Sequence, residues 1–273
     1  MEKMTIKELK QYIKHKLKDI YPTNEVGSLL AIILEKKVNL TKTNVLLNDD
    51  RVLDEKTVDE ILKIIDQLQD SKPIQYILGE TSFYDLELEV NPAVLIPRQE
   101  TEELVDWIIN NHAPGKIRIL DIGTGSGCIA IALAKNISDA EVEAMDFRQE
   151  IIKLVRKNAI KNNVKLTCTL SDIFDANKRT EHYDLIVSNP PYVLESEKKQ
   201  MKKNVLDYEP PSALFIEDEK ALAYYEKIAG FASKHLNKNG YLYLEINEKK
   251  GKEIEELLRQ QGFREIILKK DIN

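Results

Sequence analysis

The amino-acid sequence predicts an α/β protein in which a helical bundle and a connecting β-hairpin precede a doubly wound, mostly parallel β-sheet. Three observations lead to this fold class. Apolar residues first recur at helical spacing, the pattern then changes to strict alternation, and after Pro97 apolar strands alternate with helical stretches. Strands separated by helices indicate parallel βαβ units with right-handed crossovers. We therefore expect a helical domain over 1–72, a β-hairpin connector over 73–96 and a larger domain over 97–273.

The N-terminal domain is expected to contain three helices, each with one apolar face. The first begins near Ile6, where Thr5 and Glu8 have the spacing of a capping box. The second and third span about 24–37 and 54–69. Because each helix has one apolar face to bury, we expect the three helices to pack together as a small bundle.

In the connector, apolar residues alternate with acidic ones, as in a half-buried strand. The apolar positions are Tyr84, Leu86, Leu88 and Val90. A second apolar run, 74–78, lies on the other side of Gly79. We expect the two runs to pair as a β-hairpin or twisted ribbon.

The larger domain is expected to alternate between strands and helices. The candidate strands are Ile117–Asp121, Val142–Asp146, Leu166–Leu170, Leu185–Ser188, Tyr241–Ile246 and Glu265–Lys269. The candidate helices are Cys128–Lys135, Glu150–Asn162, Lys220–Leu236 and Lys249–Gln261. This order is typical of a sheet covered by helices on both faces.

Composition excludes several classes of protein. Hydrophobic residues make up 42% of the 273 residues and charged residues 32%, which excludes a disordered or collagen-like chain. The net charge of −6 disfavours a protein that surrounds duplex DNA. No apolar run reaches the roughly 18 residues of a membrane span, and Met1 to Lys10 do not resemble a secretory signal. Cys128 and Cys168 lack metal-ligand spacing, so we expect no metal, no disulfide and a cytoplasmic protein.

A glycine-rich loop follows the first strand of the larger domain. An apolar strand leads through three alternate glycines into a helix, in the sequence Ile119-Leu120-Asp121-Ile122-Gly123-Thr124-Gly125-Ser126-Gly127-Cys128. Glycine permits positive φ and close approach of a ligand, and the helix start offers free amides. A dinucleotide fingerprint would need its third glycine where Cys128 stands. The loop therefore predicts a crevice at the carboxyl end of the strand that binds a ligand other than a dinucleotide.

The G-x-G-x-G pattern, with an acid two residues before it, resembles motif I of class I S-adenosylmethionine-dependent methyltransferases. The resemblance implies that Asp121 faces the cationic end of the cofactor and that Asp146 binds the ribose hydroxyls. It also implies that Asp172 meets the adenine amino group while Ile173 packs on the ring. The expected cofactor-binding residues are Asp121, Gly123, Thr124, Gly125, Ser126, Gly127, Asp146, Asp172, Ile173 and Asn189. The alternatives are a structural turn with an exposed acid, and a helix cap at Asp172.

The tetrapeptide Asn189-Pro190-Pro191-Tyr192 follows the fourth strand. Proline fixes φ and lacks a backbone donor, so the Asn189 side-chain oxygen and the Pro190 carbonyl can accept both hydrogens of a planar –NH2 group. The Tyr192 ring can stack on the flat group that carries it. We take Asn189, Pro190 and Tyr192 as the catalytic residues. An ordinary Asn-Pro turn is the alternative.

The tetrapeptide resembles that of the amino-methyltransferases, which methylate an exocyclic nitrogen of adenine, cytosine or guanine, or the amide nitrogen of glutamine. Such a nitrogen is a poor nucleophile because its lone pair is delocalised. Two accepted hydrogen bonds hold it in place and favour the charge that develops on it during methyl transfer. No strong general base is needed, because the alkylated nitrogen readily loses its proton.

Four features occur in a fixed order: the helical bundle, the ribbon, the segment Ile96-Pro97-Arg98-Gln99-Glu100-Thr101-Glu102-Glu103-Leu104-Val105, and Asn-Pro-Pro-Tyr. Together they resemble the peptide chain release factor glutamine methyltransferase family over nearly the whole chain. The resemblance implies N5-methylation of the glutamine in the Gly-Gly-Gln motif of class 1 release factors. As a hypothesis, we take the N-terminal domain for the surface that docks this protein substrate. The implied substrate-binding residues are Asn189, Pro190, Pro191, Tyr192, Arg98 and Phe83.

The sequence also allows other functions. The tetrapeptide alone also allows a DNA or RNA amino-methyltransferase that takes a flipped base, or a ribosomal-protein glutamine methyltransferase. The net charge disfavours nucleic acid as a partner. A non-catalytic scaffold and a dehydrogenase fit fewer of the motifs. The family continues into a final antiparallel strand, whereas this sequence stops at Asp271-Ile272-Asn273, so we expect either a shortened sequence or a sheet without that strand.

Overall fold

A computed structural model describes residues 3–41, 44, 48–112, 115–176 and 179–271. The chain divides into two compact units. One contains the described residues up to Leu78 together with Lys203–Tyr208, and the other contains the rest, beginning at Gly79. Among the described residues, no helix is both long and apolar enough to cross a lipid bilayer.

The first unit is built from helices α1 (Ile6–Leu17), α2 (Thr23–Val38), α3 (Glu55–Gln69) and α4 (Ile74–Leu78), with a two-residue antiparallel ladder between β1 (Met4–Thr5) and β2 (Val52–Leu53). Their apolar faces form one buried core that includes Ile13, Ile33 and Ile65. The predicted capping box is confirmed, since Glu8 N donates to Thr5 Oγ1 at 3.2 Å and Thr5 N donates to Glu8 Oε2 at 2.8 Å.

The hairpin is present, but its first strand differs from the prediction. Residues 74–78 form helix α4, and the hairpin pairs β3 (Glu80–Phe83) with β4 (Leu86–Glu89). The turn residues Tyr84 and Asp85 have φ of 44° and 58°. Positive φ at both central positions suits the right-handed twist of a two-residue hairpin. The prediction of a strand at 74–78 was wrong because a short apolar run does not distinguish helix from strand.

The second unit contains a parallel sheet. Its strands are β5 (Arg118–Ile122), β6 (Glu141–Asp146), β7 (Thr167–Leu170), β8 (Tyr183–Ser188) and β9 (Leu236–Leu244). Its longer helices are α5 (Gln99–Asn111), α6 (Cys128–Asn136), α7 (Gln149–Lys161), α8 (Ala223–His235) and α9 (Gly251–Gln260). Shorter helical pieces cover Glu195–Gln200, Pro211–Leu214, Asp218–Lys220 and Glu248–Lys250, and a short parallel ladder joins Val193–Leu194 to Phe215–Ile216. The helical piece Lys203–Tyr208 belongs to the first unit.

Within the described residues the strand order is β9-β8-β5-β6-β7, and every neighbouring pair is parallel. The chain proceeds outward from β5 to β6 and β7, then returns across the sheet to β8 and β9. The order therefore reverses between β5 and β8, which is where open α/β sheets bind ligands. The three central strands β5, β6 and β8 are nearly continuously buried, as in sheets covered on both faces, whereas the outer strands β7 and β9 are more exposed. The predicted fold class is confirmed.

The sixth predicted strand was wrong. Residues 265–269 form no strand, and Glu265 has a φ of 54°, which interrupts an extended run. Lys269 instead places its ammonium 4.3 Å from the centre of the Trp107 ring. The final residues Ile272 and Asn273, on which the prediction for the chain end depended, lie outside the described part.

Candidate active site

A cavity of about 250 Å³ lies at the carboxyl ends of the strands, where the strand order reverses. The predicted residues that line it are Arg98, Gly123, Thr124, Gly125, Ser126, Asp146, Asp172, Ile173, Asn189, Pro190 and Pro191. Other lining residues include Thr101, Arg148, Phe174 and Tyr224. The fold thus brings the glycine loop, two strand-end acids and most of the tetrapeptide to one cavity.

The three glycines of the loop have different physical reasons to lack a side chain. Gly127 precedes α6 with a φ of 83°, and a Cβ there would lie 3.0 Å from Val155 Cγ1 and 3.1 Å from Ile131 Cδ1. Gly123 and Gly125 also have positive φ, 71° and 55°, but no atom lies within 4 Å of their Cβ positions. The open space at these two positions leaves the backbone accessible to a ligand.

Asp121 lies beneath the loop and is only 1% exposed. The Thr124 hydroxyl donates to Asp121 Oδ2 at 2.6 Å. Burial raises the pKa of the Asp121 carboxyl from its ordinary value of 3.8 to about 7. The residue is not among those that line the cavity, so its direct neighbour is the loop itself.

Asp146 ends β6 and lines the cavity with a side chain that is tied to the backbone on both oxygens. Gly125 N donates to Oδ2 at 3.3 Å, and Arg148 N donates to Oδ1 at 3.1 Å. Burial raises the pKa of this carboxyl, while the two amides act in the opposite direction. The two hydrogen bonds fix the position of an acid next to the glycine loop.

The segment after β7 lines another part of the cavity. Asp172 Oδ1 accepts a hydrogen bond from Phe174 N at 2.9 Å, and residues 173–175 form a turn. Ile173 and Phe174 lie beside it, and the Phe174 ring makes an edge contact with Tyr224, with ring centres 5.2 Å apart. These side chains supply a largely apolar surface with one carboxylate, a combination that suits a flat heterocycle.

Asn158 of α7 supports the loop from behind and is fully buried. Its Nδ2 donates to the carbonyl of Ser126 at 2.8 Å and to that of Glu89 at 3.0 Å. Its Oδ1 accepts from Glu89 N at 2.7 Å. One amide side chain therefore joins the glycine loop to strand β4.

The tetrapeptide follows β8, whose last residue Ser188 donates through its hydroxyl to the Ile122 carbonyl at 2.7 Å. Asn189 Nδ2 donates to Glu245 Oε2 at 2.8 Å and to Thr101 Oγ1 at 3.2 Å. The Thr101 hydroxyl donates to the same Glu245 oxygen at 2.7 Å. The nitrogen of the Asn189 amide is thus engaged by protein groups, and its oxygen is left as an acceptor.

Tyr192 is held by Glu245, the acid that also binds Asn189. Its hydroxyl donates to Glu245 Oε1 at 2.8 Å, and its carbonyl accepts from Asn247 Nδ2 at 3.0 Å. Burial raises the pKa of the Tyr192 phenol well above its ordinary value, so the hydroxyl stays a donor. Tyr192 is not among the described residues that line the cavity.

Arg98 precedes α5 and lines the cavity. Its guanidinium donates to Glu209 Oε1 at 2.6 Å, and Ile96 N donates to Glu209 Oε2 at 3.3 Å. The Glu209 side chain is 1% exposed, against 33% for Arg98. This buried carboxylate therefore fixes Arg98 and the backbone before it at the cavity wall.

Phe83 is placed apart from these residues. It is 1% exposed in the hairpin and does not line the cavity. Its burial gives no support to the predicted contact with a substrate. Within the described residues, no group of three or more His, Cys, Asp or Glu side chains is arranged to hold a metal ion.

The sequence did not point to two site residues, Glu245 and Asn158, or to the contact that Thr101 makes with Glu245. Glu245 directly follows β9, at the same edge of the sheet as the other acids. Open α/β sheets bind ligands at the carboxyl ends of their strands, and this rule could have pointed to Glu245. Nothing in the sequence pointed to Asn158, because a buried asparagine in a helix cannot be distinguished by sequence from a polar residue on the exposed face of that helix.

The sequence matches two family models. Residues 8–79 match the PrmC N-terminal domain, and residues 101–208 match the Methyltransferase small domain. A methyltransferase crystal structure from Pyrococcus furiosus is 19% identical, with a TM-score of 0.51 over 81% of this chain and 94% of that one, and supports the fold alone.

Two curated relatives cover nearly the whole chain. The release factor glutamine methyltransferase of Flavobacterium psychrophilum is 45% identical over 98% of this chain and 96% of the relative. That of Bacteroides thetaiotaomicron is 42% identical over 96% of this chain and 94% of the relative. At this identity and coverage, the chain belongs to the release factor glutamine methyltransferase family.

Proposed function

We propose that this protein transfers a methyl group from S-adenosylmethionine to the side-chain nitrogen (N5) of the glutamine in the Gly-Gly-Gln motif of a class 1 peptide chain release factor. The observation that carries the proposal is the hydrogen bonding of Asn189. Its nitrogen is engaged by Glu245 and Thr101, which leaves its oxygen as the acceptor of a residue that lines the cavity together with Pro190. The names of the relatives supply the class of substrate.

The cavity residues fit the proposed cofactor. S-adenosylmethionine, when bound, supplies a methyl group on a positively charged sulfur. Gly123 and Gly125 leave open space along the backbone, and Asp146 offers a fixed carboxylate for hydroxyl groups. Asp172 and Ile173 offer a carboxylate and an apolar surface for a purine. The acidic side chains also suit a ligand with positive charge.

The substrate amide would be held by acceptors alone. Asn189 Oδ1 and the Pro190 carbonyl would each take one hydrogen of the glutamine –NH2 group, which fixes the nitrogen in one plane. As the nitrogen gains positive charge, both hydrogen bonds become stronger, which stabilises the transition state. Neither acceptor takes the proton, which is lost to solvent once the nitrogen is alkylated. We assign substrate contacts to Pro191, Tyr192 and Arg98 on the family resemblance.

The rival substrate is a base in nucleic acid, whose exocyclic –NH2 group would satisfy the same two acceptors. The release factor is favoured by the names of the relatives and by the net charge of −6. We assign docking of the release factor to the N-terminal helical unit. We place the reaction in the cytoplasm, where translation takes place, in keeping with the unpaired thiols Cys128 and Cys168.

Incubation with cofactor labelled in its methyl group tests the proposal. Three acceptors are supplied separately: a class 1 release factor, the same factor with its motif glutamine changed to alanine, and a DNA oligonucleotide. We expect label only in the factor that keeps the glutamine. Label in the alanine form would place the reaction at another residue, and label in DNA alone would favour the rival substrate.

A further inference from the structure

Glu245 is the meeting point of three separate parts of the second unit. Its side chain accepts hydrogen bonds from Asn189 after β8, from Thr101 in α5 and from Tyr192, at 2.8, 2.7 and 2.8 Å. Thr101 is only 2% exposed, and burial raises the pKa of the Glu245 carboxyl. The acid thus lies in a protected position with donors on both of its oxygens.

The chemistry of this cluster determines which way the Asn189 amide faces. An ionised carboxylate only accepts hydrogen bonds, so the group that faces Glu245 has to be the –NH2 end of Asn189. The oxygen is then directed away from Glu245. In the reversed orientation, the Asn189 oxygen would face Glu245 Oε2. The –NH2 group of the substrate would then meet the –NH2 group of Asn189. Neither contact can form a hydrogen bond.

We propose that Glu245 is a positioning residue for methyl transfer: it orients Asn189 and anchors Tyr192, with Thr101 as the shared support. This inference rests on the proposed function, because it concerns the acceptor that Asn189 presents to the substrate. Glu245 acts through Asn189 and does not take the substrate proton. Its Oε1 is occupied by Tyr192 and its Oε2 by Asn189 and Thr101.

The first test is Glu245→Gln, which keeps the shape but adds a donor to the group that faces Asn189. With a release factor as substrate, we expect kcat to fall by about 10- to 100-fold, which is less than the roughly 100- to 1,000-fold cost of removing a direct transition-state hydrogen bond, because Glu245 acts through Asn189. KM for the release factor and Kd for the cofactor should stay within about twofold. Glu248→Gln is the matched control, since Glu248 is an exposed acid three residues along the chain.

The second test uses Thr101 and stays informative if Glu245→Gln does not fold. Thr101→Ser keeps the hydroxyl, and Thr101→Val keeps the shape without it. We expect near wild-type kcat for Ser and a fall of several-fold or more for Val. A purely structural role would make both variants less heat-stable and leave kcat per folded molecule unchanged, which would overturn the inference.

A readout besides activity is the side-chain –NH2 signal of Asn189 in nitrogen-15 NMR, assigned by its disappearance in Asn189→Ala. We expect its hydrogens to exchange slowly with solvent in the wild type and in Thr101→Ser, and faster in Glu245→Gln and Thr101→Val. Equal exchange and equal kcat in wild type and Glu245→Gln would overturn the inference alone. A wild-type protein that binds cofactor but never methylates the release factor would overturn the proposed function, and the inference with it.

Discussion

The side-chain nitrogen of Asn189 lies 2.8 Å from Oε2 of Glu245, so the loop after β8 is joined to the residue that follows β9. These two strands are parallel neighbours in the sheet, and Ser188 at the end of β8 lines the cavity, whereas Glu245 after β9 does not. The bond leaves the Asn189 oxygen as an acceptor. The proposed chemistry depends on that oxygen.

Replacing Asn189 with alanine removes one of the two proposed acceptors for the substrate amide. We expect kcat to fall by about 100-fold or more, in line with the loss of a preorganised group at a reacting atom. Cofactor affinity should change little, because the glycine loop and Asp146 are untouched. Single-turnover kinetics and calorimetry measure the two effects separately. Retained turnover in Asn189→Ala would contradict the proposed role.

Replacing Asp146 with alanine should chiefly weaken cofactor binding. A carboxylate that accepts hydrogen bonds from ligand hydroxyls contributes about 1.5–3 kcal/mol, so we expect Kd to rise about 10- to 100-fold in calorimetry. Glu141→Ala is the control, because Glu141 is an exposed acid at the other end of the same strand. Equal affinities for both variants would remove Asp146 from the cofactor site.

Replacing Asn158 with alanine should destabilise the protein and loosen the glycine loop. The change leaves the buried carbonyl of Ser126 and the backbone of Glu89 without their partner. We expect a loss of about 2–4 kcal/mol in urea unfolding, because buried polar groups lose their hydrogen bonds. The neighbouring Lys157→Ala removes only an exposed ion pair with Glu89 and should cost under about 1 kcal/mol. Similar losses in the two variants would argue against the bridging role of Asn158.

The raised pKa of Asp121 makes a prediction about pH. In the unfolded chain this carboxyl ionises near its ordinary value of 3.8, whereas in the folded protein it ionises at about 7. Between these values the unfolded chain binds fewer protons, so the free energy of unfolding falls as pH rises. The stabilisation is complete below the lower value and lost as pH passes the higher one.

Asp121→Asn removes this titration and keeps an oxygen that accepts from Thr124. We expect the variant to gain stability relative to the wild type as pH rises from about 4 to 7, with no further gain above that. Urea unfolding at several pH values measures the difference. A difference that stays constant with pH would show that Asp121 has no raised pKa.

Much of the fold could be predicted because local patterns and tertiary structure agree. The strands that became β5, β6 and β8 are short apolar runs separated by helices, and only a covered parallel sheet buries such runs on both faces. The failures were at 74–78, where five residues are too few to show a period, and at 265–269, where Glu265 has left-handed backbone.

The site was predictable only where a residue stands at the end of a strand. Asp146 and Asn189 were found in this way and line one cavity, although their roles stay predictions. The contact of Thr101 with Glu245 joins positions 144 apart, and no local pattern reports it. Phe83 shows the opposite error, since an aromatic residue in an alternating strand usually faces the core, as it does here.

The central claim is tested most directly by mass spectrometry of a class 1 release factor after reaction with this protein and S-adenosylmethionine. Fragmentation of the peptide that contains Gly-Gly-Gln locates any added methyl group. We predict one methyl group on the side-chain nitrogen of that glutamine, and much slower methylation when Asn189→Ala replaces the wild type. A release factor that stays unmethylated beside a wild-type protein that binds cofactor, or a methyl group on any other residue, would contradict it.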